Sequence, residues 1–71
     1  MRFYKIVSED EEELLAIFMD LQNGVFTTSE WDAIASRITS ELGDGFWYGI
    51  PTTQPEFETY QAFGIKEIKV V

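Results

Sequence analysis

Apolar residues in this chain recur in two rhythms, and the rhythm predicts the element. From Glu9 to Gln22 the apolar positions Leu14, Ile17, Phe18 and Leu21 fall three and four apart, widened by Leu15 and Met19. That spacing predicts an amphipathic helix. A second helix is predicted over 28–42, with Trp31, Ile34, Ala35, Ile38 and Leu42 on one stripe. A third, shorter one is predicted over 54–63, where Pro55 lies in the first turn and Phe57, Tyr60 and Phe63 stand three apart. Its richness in aromatics and Thr leaves a strand as the competing assignment.

Caps support the three helices. Ser8-x-x-Glu11, Thr27-x-x-Glu30 and Thr53-x-x-Glu56 each match the capping box, in which two side chains satisfy two orphaned helix N–H groups. Gly24, Gly43 and Gly64 stand where each helix would stop. Phe26 and Trp31 occupy the positions of a hydrophobic staple around the second start. Strands are predicted at 2–7, 46–50 and 65–71, short runs of β-branched and aromatic residues bounded by turn or cap signals. The expected fold is therefore α+β, a single domain over 1–71 in the order β-α-α-β-α-β. A three-stranded sheet would carry its helices on one face. Leu14, Phe18, Leu21, Trp31, Ile34, Ile38 and Phe46 would share the core.

Size bears on how such a fold is held. Seventy-one residues without Cys or His have neither a disulfide nor a structural zinc to support a small core. Stability has to come from packing six Phe, three Tyr and two Trp, or from homo-oligomerisation. No stretch approaches the ~20 apolar residues of a membrane span. The basic, apolar start at 1–7 is cut off by Ser8–Glu13 before a signal-peptide core could form. A cytoplasmic protein is the expectation, with no membrane partner.

Charge changes the picture more. Thirteen acids oppose five bases, for a net charge of −8. Between Ser8 and Gly64 lie twelve of the acids and a single base, Arg37. Such a chain repels phosphate backbones, so direct binding of nucleic acid is not expected, and it attracts basic surfaces. Glu9-Asp10-Glu11-Glu12-Glu13 has a structural reading, since acids in a helix's first turn complement its dipole. Its functional reading is an acidic patch for a basic partner. Phe46-Trp47-Tyr48-Gly49-Ile50 holds more aromatic surface than one strand face can bury. It is either covered by the protein on both sides or offers a stacking platform.

Catalysis has little to work with. Without His or Cys the common bases and nucleophiles are missing, and no glycine-rich phosphate loop is present. The expectation is a non-enzyme without cofactor or metal. In size, acidity and lack of catalytic residues the chain resembles, in type, the small inhibitors and regulators carried by phages and mobile elements, some of which mimic the charge of DNA. The function expected is a binding module that occupies a basic surface on a protein partner, of the kind that otherwise holds nucleic acid. Glu9, Asp10, Glu12 and Glu13 are the first contact candidates, with Asp20, Asp32 and Asp44 as extensions. The alternative is an oligomeric small-ligand binder that stacks a nucleotide-like molecule on Trp47 and Tyr48, marked by a concave site containing Trp47 with Arg37 or a Lys nearby.

Overall fold

Three strands and two helices make up an α+β fold in the computed structural model, which describes residues 1–70. The strands are β1 (Arg2–Ser8), β2 (Leu14–Asp20) and β3 (Trp47–Pro51), and the helices are α1 (Thr28–Leu42) and α2 (Gln54–Ala62). The chain order is β1-β2-α1-β3-α2, and the sheet order is β2-β1-β3 with both pairings antiparallel.

The first helix expected from the sequence is thus a strand. Residues 14–19, Leu-Leu-Ala-Ile-Phe-Met, are apolar without interruption, and such a run satisfies a helical stripe and a strand covered on both faces equally well. Burial on both faces decides it here. Ala16 and Phe18 are fully buried on one face and Ile17 on the other. A bulge between Ile6 and Val7, opposite Leu14 and Ala16, accommodates Leu15 as an extra residue.

The last expected strand, 65–71, is reduced to one parallel bridge between Ile17 and Glu67. The Ile17 amide donates to the Lys66 carbonyl, and the Ile68 amide donates to the Ile17 carbonyl, each at 2.9 Å. These residues cover the middle of the outer edge of β2, at Ile17. The final residue of that expected strand, position 71, lies outside the described residues.

The helices lie on opposite faces of the sheet, not on one. Tyr4 of β1 meets Trp31 of α1 at 5.8 Å between ring centroids, while its neighbour Phe3 meets Phe57 of α2 at 5.1 Å. Adjacent strand residues point to opposite faces. Topology supplies the reason. The β2-α1-β3 connection crosses the sheet in one direction, and the chain after β3 returns through α2 to the far side of β2. Two crossovers of the same hand running in opposite directions place their helices on opposite faces. The larger core, beneath α1, joins Ile6, Ala16, Phe18, Ile34, Ile38 and Ile68. Of the core residues expected from sequence, Leu21 and Phe46 are instead 67% and 80% exposed.

Candidate functional site

Most of the acidic run sits on a tight turn between β1 and β2, not on a helix. The Ser8 amide donates to the Glu13 carbonyl and the Glu11 amide to the Ser8 carbonyl, at 2.9 and 2.8 Å. Ser8 Oγ accepts from the Glu13 amide and donates to Asp10 Oδ1, which also accepts from the Glu12 amide. These bonds hold the Asp10 carboxyl below its ordinary range, the Ser8 hydroxyl first and the Glu12 amide second. Glu11 takes a left-handed conformation, φ 62°, which is what allows the chain to reverse here despite the absence of Gly. The Ser-x-x-Glu pattern read as a helix cap is therefore a turn built by the same Ser. Both motifs use a small hydroxyl to satisfy nearby amides.

Five adjacent carboxylates at 9–13 are exposed, and among the described residues none of them is in an ion pair. Four of the five bases, all but Lys5, are engaged elsewhere. Arg2 pairs with Asp20 and Glu30, Arg37 and Lys66 approach Glu41, and Lys69 meets Glu67. Among the described residues, no group of three or more carboxylates converges as a metal ion would require.

The other candidates are scattered. Asp20 is only 7% exposed and accepts from Arg2 at 2.7 Å across the β1–β2 pair, so it is not available to a partner. Asp32 is exposed on α1 and Asp44 in the turn before β3. Trp47 and Tyr48 are consecutive on β3 and so face opposite sides of the sheet. Trp47 packs edge-on against Trp31 at 6.3 Å, while Tyr48 is 52% exposed on the α2 side. Arg37 Nε donates to the Lys69 carbonyl and lines a shallow groove with Ala33, Lys69 and Val70. The structure does not bring Trp47, Tyr48 and Arg37 together.

What it does bring together is a set of aromatics not singled out as a site from sequence. Tyr4, Phe26 and Trp31, with Val25, Gly49 and Pro51, line an open groove of about 310 Å³ beside β3. The staple pair Phe26 and Trp31 lies at 5.7 Å, and Phe26 also carries the Arg2 guanidinium 3.7 Å above its ring. At Gly49 a Cβ atom would stand 2.5 Å from Trp31 Cη2, so Gly is what lets the indole approach the strand this closely. The signal was present in the sequence as staple positions, but nothing local says that α1 would cross next to Gly49.

Comparison with protein-family models, with curated proteins and with solved structures gives no match. The functional reading therefore rests on the geometry above.

Proposed function

We propose that this domain is a non-catalytic binding module that docks its acidic β1–β2 turn on a basic surface of a protein partner. The observation that supports this most is that Glu9, Asp10, Glu11, Glu12 and Glu13 stand exposed on one hydrogen-bonded turn while the molecule's bases are largely engaged by other acids. An array of exposed carboxylates imitates phosphates to a basic groove, because charge dominates affinity for a nucleic-acid backbone. A regulator or inhibitor that occupies a nucleic-acid-binding surface is the form of function this favours. Asp44, in the loop before Trp47, which pairs with Ser8, extends the acidic field; Asp32, beside the Arg2–Glu30 contact at the other end of β1, and the buried Asp20 do not.

The test keeps the turn and removes its charge. In the variant Glu9→Gln, Asp10→Asn, Glu12→Gln, Glu13→Gln, the amide oxygen at position 10 can still accept from Ser8 and from the position-12 amide. Folding stability should change by less than about 1 kcal/mol, as exposed charges contribute little. Binding to a partner recovered from the source lysate should weaken, with the association rate and its salt dependence falling together, since exposed charges steer the encounter. Unchanged association at low salt would reject the turn as the docking surface.

A further inference from the structure

The two edges of the sheet are treated differently. The outer edge of β2 is bonded at its middle residue, Ile17, by residues 66–68. Along β3 no segment pairs with the outer edge among the described residues. The Thr52 amide donates to the Phe3 carbonyl at 2.9 Å, and alternation along an antiparallel pair then turns the N–H and C=O groups of Trp47 and Gly49 outward. Pro51, next in that series, has no N–H to present. Between Trp47 and Pro51 there is no charged side chain, although open edges are ordinarily blunted by charge. Phe46 and Tyr48 add exposed aromatic surface at the same strand.

We infer that the outer edge of β3 receives an extended, lysine- or arginine-rich segment of a protein partner as an added strand, antiparallel like the sheet's other pairings, with one large apolar side chain in the Tyr4–Phe26–Trp31 groove. A residue paired with Gly49 points its side chain to the α1 face, where that groove opens. Main-chain bonds to Trp47 and Gly49 fix the register, and the groove selects the side chain. Charge selects a basic strand. Ser8 pairs with Trp47, so the acidic turn begins at one end of β3, next to Asp44 in the preceding loop. At the other end, Thr52 Oγ1 donates to Glu56. On the α2 face Lys5 is opposite Ile50, so the incoming strand should be neutral on that side. A second copy of this chain would bring −8 against −8 and is disfavoured. This inference rests on the acidic-module reading above and adds where the partner's backbone lies.

Four synthetic peptides, each titrated into the intact protein, decide it. The first is Lys-Thr-Lys-Thr-Phe-Thr-Lys-Thr-Lys, whose Phe and Lys share one face. The second is N-methylated at the central Phe and its two flanking Lys, the third at the Thr flanking the Phe, and the fourth has Glu in place of every Lys. N-methylation removes a donor but no charge. The first and third peptides should bind and slow amide exchange of Trp47 and Gly49 at least tenfold. The second should bind at least tenfold more weakly, and the fourth should not bind. Equal binding of the first and second peptides, or slowed exchange elsewhere but not at Trp47 and Gly49, overturns the edge. Concentration-dependent dimerisation with the same amides protected overturns it as well. The four-fold neutralised turn variant separates the two readings. If the parent binds the first and second peptides alike and the variant loses both, the acidic turn stands and the edge falls. If it binds the first as the parent does while still discriminating against the second, the edge stands and the turn falls.

Discussion

Gly49 shows how much one missing methyl group can decide. The indole of Trp31 occupies the space a Cβ would need, and it cannot slide away freely because Tyr4, Phe18, Phe26 and Trp47 surround it. Gly49→Ala should therefore destabilise the fold by about 1–3 kcal/mol through overpacking, lowering Tm by roughly 4–8 °C per kcal/mol in a domain of this size. Calorimetry of the substitution alone and in a Trp31→Leu background checks the cause. The cost should shrink when the indole is gone, and an equal cost in both backgrounds would place the strain elsewhere. Legibility at this scale followed sequence distance. The Thr27–Glu30 box is complete, with the Thr27 amide donating to Glu30 and the Glu30 amide to Thr27 Oγ1, because both partners are local. At Thr53 only half the box forms, since the Glu56 carboxylate turns to Thr52. Asp20 was read as a surface acid because its partner, Arg2, is eighteen residues away.

That pair belongs to the scale of elements, since it ties three of them. Arg2 begins β1, Asp20 ends β2, and Glu30, in the first turn of α1, meets the same guanidinium at 3.3 Å. The Asp20 carboxyl is held below its usual range by the Gln22 amide and then by Arg2, against the opposing effect of burial. Glu30 is lowered as well, first by the Thr27 amide and then by Arg2. A depressed folded pKa stabilises above the unfolded value, near 4, and that contribution is lost as pH falls through the folded value. Stability should hold from neutral pH down to about 4 and decline below it. Asp20→Asn should cost about 3 kcal/mol at pH 7, the low end for a broken buried pair because Glu30 remains. It should also flatten the acid decline; denaturant titrations at several pH values give both numbers, and an undiminished slope would move the acid sensitivity to other carboxylates. The elements themselves were unevenly legible. α1 and α2 carry their own caps, so their bounds could be read locally. β2 could not, because a strand buried on both faces has lost the alternation that marks a strand, and the Ile34 and Ile38 that cover its Ala16 and Phe18 come from a helix later in the chain.

At the scale of the whole molecule, charge and topology pull on different terms. The buried Arg2 pairs are sheltered from salt, whereas the acids at 9–13, Asp32, Asp44 and Glu58 are exposed. Screening should relieve their repulsion and raise Tm by about 2–4 °C between low and physiological ionic strength, as the Debye length shortens to about 8 Å. The four-fold neutralised variant should show a smaller rise. A flat profile in the parent chain would mean that the acidic turn is too far from other charge to strain the fold. The α+β class was legible from alternating periodicities. The helix placement was not, since it follows from the direction in which each connection crosses the sheet, and no single stretch of residues records that.

Trp31 and Trp47 stand edge to face at 6.3 Å, one on the helix and one on the open strand. Indoles this close share their electronic excitation, so the pair acts as a built-in optical gauge of the angle between α1 and β3. A strand added along β3 that tilted or shielded Trp47 would change the coupled absorption of the two rings in sign or strength. Circular dichroism would then read such docking without a label.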